Sequence, residues 1–226
     1  AKMRGSMRKG LEIKHLTVAT KDGKQIIKDI SLHFSDRTNY ALLGHNGCGK
    51  TTLVSAIMGS PEYQVVSGQI RLDETDITDL PPNERAKLGI FLAMQSPIEI
   101  PISYSNFLRS VLANIDTGER NFFDVLDELK QDASRLGFDD FDPQRQLNTG
   151  FSGGEKKKSE ILQMLAIRPR FALLDEPDSG LDRDSVSRLA ERLLAIDYPT
   201  SLIVISHHDH LLNELKPTVT YNLEEL

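Results

Sequence analysis

The chain of 226 residues holds one cysteine, Cys48, so no internal disulfide can brace it; that suits a reducing cytosol and predicts a cytoplasmic setting. Long apolar runs are missing too. A spanning helix needs roughly 20 apolar residues, which excludes direct membrane insertion by a helix, and no signal peptide is visible. Basic charge is not in excess: 27 Lys and Arg against 33 Asp and Glu give a net charge of -6, which argues against a nucleic-acid partner. The one basic run, Lys156-Lys157-Lys158, reads as a solvated helix face. No internal repeat or low-complexity segment is present. What remains is a globular chain whose 39% hydrophobic content is enough to bury a core. Residues 1–6 read as a cloning remnant, with a natural start at Met7 and one domain over 7–226.

Against these absences stands Gly44-His45-Asn46-Gly47-Cys48-Gly49-Lys50-Thr51-Thr52. It has the spacing of a phosphate-binding loop, between the apolar run Tyr40 to Leu43 and the helical run Leu53 to Met58. Gly44, Gly47 and Gly49 can take backbone angles that turn successive N–H groups toward a polyphosphate at a helix N-terminus. Lys50 is expected to reach the β- and γ-phosphates, and the Thr51 hydroxyl to ligate Mg2+.

Leu11, Ile13, Leu16 and Val18, then Ile26 to Phe34, read as strands joined at Lys21-Asp22-Gly23-Lys24, and with Val65 to Leu72 they predict a small antiparallel sheet. Ile90 to Met94, Phe171 to Leu174 and Ser201 to Ile205 are short apolar runs of the kind found in strands covered on both faces. Separated by helices, they imply a mainly parallel sheet. Between Gln95 and Gly150, Phe107, Leu108, Val111, Leu112 and Ile115 recur at helical spacing, as do Phe122, Val125, Leu126, Leu129, Ala133 and Leu136. The organisation expected is an α/β core over 7–95 and 151–226, including the antiparallel β subdomain, with a helical subdomain inserted at 96–150.

Phe171 to Leu174 runs into Asp175-Glu176. With a phosphate loop upstream, Asp175 can hold Mg2+ through water and Glu176 can polarise an attacking water as general base. Gln95 directly follows an apolar strand, and His207 follows another, where a γ-phosphate sensor belongs. His207, His208 and His210 with Asp209 would otherwise read as a metal cluster. Phe151-Ser152-Gly153-Gly154-Glu155 opens a helix running to about Ile167 and forms a second anion-binding terminus. One nucleotide does not need two such sites on opposite sides, so this one is expected to serve a nucleotide bound by another subunit.

The order of Gly44 to Thr51, Gln95, Ser152 to Glu155, Asp175-Glu176, Ser179-Gly180-Leu181-Asp182 and His207 resembles that of the ATP-binding cassette (ABC) ATPases over nearly the whole chain. That resemblance implies a P-loop NTPase fold with a RecA-like α/β core, and Mg2+-dependent ATP hydrolysis in a transient head-to-tail homodimer. Gln95 would link Mg2+ to the helical subdomain, Ser152 to Glu155 would cap ATP in the partner subunit, Ser179 to Asp182 would cross the interface, and His207 would sense the γ-phosphate. Three stretches, Gly89 to Pro101, Gly150 to Met164 and Asp178 to Asp182, resemble the soluble SufC branch, the ATPase subunits of the SUF iron-sulfur cluster assembly system. Scaffold partners of the SufB and SufD type are then implied. The alternatives are an ATP-binding subunit of a membrane ABC transporter and a nucleotide-gated module that scarcely turns over. The chain departs from the branch at Pro177 and in the roughly 19 residues after His207, and it lacks an aromatic at Ala19 or Thr20, near where many cassette ATPases stack adenine.

Overall fold

The structure, a computed structural model, describes residues 9–115 and 120–226; the expectations for residues 1–6 and Met7 lie outside the described residues. Leu11, Ile13, Leu16 and Val18 are buried along β1 (Leu11–Thr20), though the inward-facing positions change from odd to even after Ile13. A bulge absorbs the change: His15 has a φ of 46°, and the pairing shifts there against both β2 (Gln25–Phe34) and β4 (Tyr63–Leu72). Gly68 of β4 lies against this bulge with a φ of 87°, where a Cβ would collide with the carbonyl oxygens of Lys14 and His15. With β5 (Thr75–Asp76) these strands form an antiparallel sheet in the order β2-β1-β4-β5.

A second sheet is all parallel. Its strands are β3 (Tyr40–Leu43), β6 (Ile90–Ala93), β9 (Phe171–Asp175), β10 (Ser201–Ile205) and β11 (Val219–Asn222), in the order β11-β3-β10-β9-β6. Every residue of β9 and β10 is buried, because both faces are covered. Leu173 and Ile203 pack with the antiparallel sheet and α1 (Lys50–Met58), whereas Leu174 and Val204 pack among helices on the other face. Two expectations change here. β6 is an edge strand that stops at Ala93, with Met94 exposed, and β11 supplies a fifth strand that the sequence pattern did not signal.

The helices are α2 (Pro82–Lys87), α3 (Tyr104–Asn114), α4 (Phe122–Arg135), α5 (Gly153–Ile167), α6 (Arg183–Leu194) and α7 (Asp209–Leu215). Leu108, Val125, Leu129 and Ala133 point α3 and α4 into a core shared with α5, as their helical spacing predicts. The Tyr104 hydroxyl donates to the Ser159 carbonyl at 2.6 Å and so fixes α3 on α5. A short ribbon of β7 (Ile100–Ser103) and β8 (Gln146–Leu147) closes the base of this helical segment.

Arg170, just before β9, ties the two sheets together. Its guanidinium donates at 2.5 and 2.7 Å to Asp36, in the turn after β2, and at 2.7 and 2.8 Å to Asp73, in the turn after β4. The Arg170 hydrogen bonds hold the Asp73 carboxyl at about 2, below its ordinary 3.8. That contribution to stability is present above about pH 4 and is lost as pH falls through 2. Arg170→Met is therefore expected to cost about 2 kcal/mol at pH 7, less than breaking a fully buried pair because these groups keep some exposure. Urea unfolding of both proteins from pH 7 to pH 2.5 should show the gap closing with acid. A gap constant across that range would contradict the clamp.

Candidate functional site

Parallel strands all point their carboxyl ends the same way, and four of them deliver the expected site residues side by side. β3 runs into the loop Gly44 to Gly49, β10 into His207, β9 into Asp175-Glu176 and β6 into Gln95. Between them lies a cleft of about 500 Å3 lined by Ile26 and by Asn46, Gly47, Gly49, Lys50, Thr51, Thr52, Gln95, Glu176 and His207.

Gly44, Gly47 and Gly49 have φ values of 144°, 87° and 107°, the region that glycine reaches without strain. Gly49 caps α1, so the loop amides stand at a helix N-terminus. Lys50 is buried, and its Nζ donates to the carbonyls of Gly44 at 2.6 Å and His45 at 2.9 Å. Gly44, His45 and Cys48 belong to the loop but do not line the cleft. Cys48 packs against apolar residues of the core and lies 3.8 Å from the Lys50 ammonium.

Glu176 is the centre of the cleft. Its Oε1 lies 2.7 Å from His207 Nε2, and its Oε2 accepts from Gln95 Nε2 at 3.1 Å. The Gln95 amide oxygen is thus left as an acceptor. Glu176 has a φ of 51°, and its backbone N–H donates to the Ile205 carbonyl at 2.9 Å. Such a conformation in a non-glycine residue costs about 1 to 3 kcal/mol and persists because the neighbouring strand holds it.

Asp175 is buried beside this group. Burial raises its carboxyl above the ordinary range; a hydrogen bond from Thr51 opposes this, and the Glu176 charge adds to it. Asp175 Oδ1 is buried and finds no hydrogen-bond partner. An orphaned carboxylate oxygen next to a threonine hydroxyl, with the Gln95 amide nearby, is a donor set that fits Mg2+, a hard cation bound through few protein oxygens. Among the described residues no group of three or more His, Cys, Asp or Glu side chains is placed to hold a metal, so His207, His208, Asp209 and His210 form no such cluster.

Ser152 to Glu155 do not reach this cleft. Ser152 and Glu155 form a capping box at the start of α5, with Glu155 N–H donating to Ser152 Oγ at 3.1 Å and Ser152 N–H to Glu155 Oε1 at 2.9 Å. Gly153 opens the helix, and a methyl on Gly154 would come within 3.2 Å of Leu181. The two expected interface stretches therefore adjoin each other. Ser179 N–H donates to the Glu176 carbonyl at 3.1 Å, Gly180 has a φ of 75°, and Asp182 caps α6 through Ser185 N–H at 2.7 Å. Ser179 is thus bonded to Glu176 of the cleft, and Leu181 packs beside Gly154.

Sequence reasoning missed two groups. Lys157, read as part of a solvated face, is buried, and its Nζ donates to the carbonyls of Met94 at 3.1 Å and Gln95 at 2.6 Å. One turn along α5, Glu160 is buried too and accepts from the backbone of Met94. The pair fixes the backbone that carries Gln95. No pattern in the sequence singled it out, because Glu155, Lys156 and Lys158 crowd the same turns of α5 with like residues. Glu224 is the other omission: its carboxylate meets His45 behind the phosphate loop.

The family model described as ABC transporter matches residues 27–179. A probable ABC transporter ATP-binding protein of Streptococcus pyogenes serotype M18 is 44% identical over 218 residues, covering 93% of this chain and 84% of that protein. Vegetative protein 296 of Bacillus subtilis strain 168 is 40% identical over 218 residues, covering 93% and 82%. Among solved structures, a nucleotide-free ATP-binding cassette from an ABC transporter superposes with a TM-score of 0.72 at 19% identity, covering 94% of this chain and 86% of that one.

Burial pushes the Glu160 carboxyl up to about 7 from its ordinary 4.5, while the Met94 backbone and Lys157 pull it down. A carboxyl raised in the fold contributes stability that is complete below its ordinary value and is lost as pH rises through about 7. Glu160→Gln removes the titration. Its melting temperature relative to the native protein should therefore climb by a few degrees between pH 5 and pH 8, read by circular dichroism. Parallel melting curves would show that Glu160 is not held neutral.

Proposed function

The chain belongs to the ABC transporter family and is an ATP-hydrolysing enzyme, and we propose that its catalytic unit is a site shared between two copies and coupled to an iron-sulfur scaffold. The observation that carries the catalytic part is the Glu176 carboxylate, held at 2.7 Å by His207 and 3.1 Å by Gln95 in the cleft beside the phosphate loop. Glu176 is the general base that takes a proton from the attacking water. Asn46 to Thr52 supply the loop amides for the phosphates, and Lys50 swings from the Gly44 and His45 carbonyls to the β- and γ-oxygens. Thr51, Asp175 and Gln95 would hold Mg2+, whose charge neutralises the phosphates. His207 and Gln95 grip opposite oxygens of one carboxylate. Occupancy on either side therefore redirects the base.

Ser152 to Glu155 do not line this cleft, so on this reading the cap over the γ-phosphate comes from a second copy arranged head to tail. Ser179 to Asp182 join the two halves, since they connect Glu176 to the side that bears Gly154. The segment 96–150 is the lever: α3 and α4 move with Gln95 as the base is redirected.

The partner reading rests on Gly89 to Pro101, Gly150 to Met164 and Asp178 to Asp182, which resemble the SufC branch. On that reading the lever pulls SufB and SufD type scaffold subunits in the cytoplasm. A second reading, the ATP-binding subunit of a membrane transporter, is favoured by the names of relatives such as the Streptococcus pyogenes protein. Among the described residues no helix is long and apolar enough to cross a membrane, which fits both. Purification of the tagged protein from its own cells, with identification of what stays bound, separates them: scaffold subunits support the first and a membrane permease overturns it.

Glu176→Gln should keep ATP binding while turnover falls about 100-fold or more, with a dimer trapped by ATP. Near-native steady-state turnover would remove Glu176 from its role. Mixing tests the shared site. Ser152→Arg blocks the cap and Lys50→Ala the loop, so each variant alone should be nearly inactive, yet a mixed dimer contains one composite site built from undamaged halves. Combined with scaffold present to raise the local concentration, they should regain part of the activity. Native activity strictly linear in protein concentration to high dilution, without gain on mixing, would show that each copy works alone.

A further inference from the structure

β11 runs parallel to β3 with Asn222 opposite Leu43, and Leu223 N–H donates to the Leu43 carbonyl at 3.0 Å. Neighbouring strands in parallel register leave the sheet together, so Gly44-His45 after one emerge beside Leu223-Glu224 after the other. Leu223 is buried and anchors the exit. Asn222 Oδ1 then accepts from Glu224 N–H at 3.2 Å, a local turn that faces the Glu224 side chain back toward the phosphate loop. Its carboxylate meets His45 twice. Oε2 accepts from the His45 backbone N–H at 3.0 Å, and Oε1 lies 2.6 Å from His45 Nδ1.

The peptide gripped in this way is the one on which Lys50 rests. The carbonyls of Gly44 and His45 accept from Lys50 Nζ at 2.6 and 2.9 Å, so one turn is held by Glu224 through its amide and by Lys50 through its carbonyls. The turn needs holding. Gly44 and Gly47, on either side of His45-Asn46, are the residues with the widest backbone freedom, and a loop built on them samples many arrangements unless something outside it removes the choice. Glu224 and His45 side chains keep 44% and 66% exposure, so the pair adds little to global stability. Its effect is local and geometric.

We propose that Glu224 is a positioning residue for nucleotide binding, acting through His45 to pre-organise the Gly44–Asn46 turn and thereby setting affinity for the phosphates of ATP. It leaves the hydrolytic step to Glu176. This rests on the phosphate-loop reading above, and it opposes the expectation from charge alone. The His45 hydrogen bonds hold the Glu224 carboxyl below the usual carboxylate range, and the Lys50 charge adds to the effect, so an anion sits in the field of the cation meant for ATP. By Coulomb's law, deleting that anion would tighten the binding of a polyphosphate. Pre-organisation requires the reverse.

Steady-state hydrolysis of Mg-ATP and calorimetric titration with Mg-ADP decide between the two. Glu224→Ala is expected to raise KM and the Mg-ADP dissociation constant about three- to tenfold, the range of one modest hydrogen-bonded contact, with kcat within about twofold. Glu224→Gln keeps an acceptor for the His45 amide and should recover part of the loss. His45→Ala combined with Glu224→Ala should bind no more weakly than Glu224→Ala alone, since the two act as one unit. Tighter nucleotide binding in either Glu224 variant would overturn the proposal in favour of simple repulsion. Unchanged affinity, or a fall in kcat at constant KM, would overturn it as well. The phosphate-loop reading fails by a different result, native-like Mg-ADP affinity in Lys50→Ala.

Discussion

Parallel hydrogen bonding between β3, β10, β9 and β6 is the constraint on which the site depends. It fixes the direction in which each strand ends and the height at which it ends relative to its neighbours. The Gly44 to Gly49 loop, Glu176, His207 and Gln95 then share one edge although they are far apart in sequence. Continuous burial of β9 and β10 makes that register rigid: a slip by one residue would exchange the side chains between two different cores. The chemistry is thereby positioned by apolar side chains that never touch it.

Much of this was legible from residues because the chemistry itself is local. A phosphate loop is nine consecutive residues whose glycines, lysine and threonine each have one job, and Asp175-Glu176 close an unmistakably buried strand. Helical spacing located α3 and α4 for the same reason, since each presents one apolar face, and the Ser152 to Glu155 motif located the start of α5. Gly153, Gly154 and Ser179 to Asp182 could be singled out as motifs, but their adjacency through Gly154 and Leu181 is a matter of packing.

What stayed hidden depends on contacts between distant segments. β11 is four residues of mixed character, Val219 to Asn222, and becomes a strand only because β3 has a free edge. Lys157 looks like either of its neighbours in the run Lys156 to Lys158, yet a helix turns each residue about 100° from the next, so one of the three faces inward while the others do not. Glu224 carries no pattern at all. Its place beside His45 is visible only once two strands have been set side by side. Met94 erred in the other direction, since apolar character does not tell an edge strand from a central one.

Arg170 binds both carboxylates where the parallel strands begin, whereas the cleft opens where they end. The two sheets therefore have unequal stiffness along their length. At one extremity a charged joint resists separation. At the other, Ile26 lines the cleft and Ile27 packs near Gly49, apolar contacts that yield more readily under small displacements. Such an assembly bends like a tuning fork gripped at its stem. Any small relative movement of the sheets would therefore be largest at the end where the cleft opens.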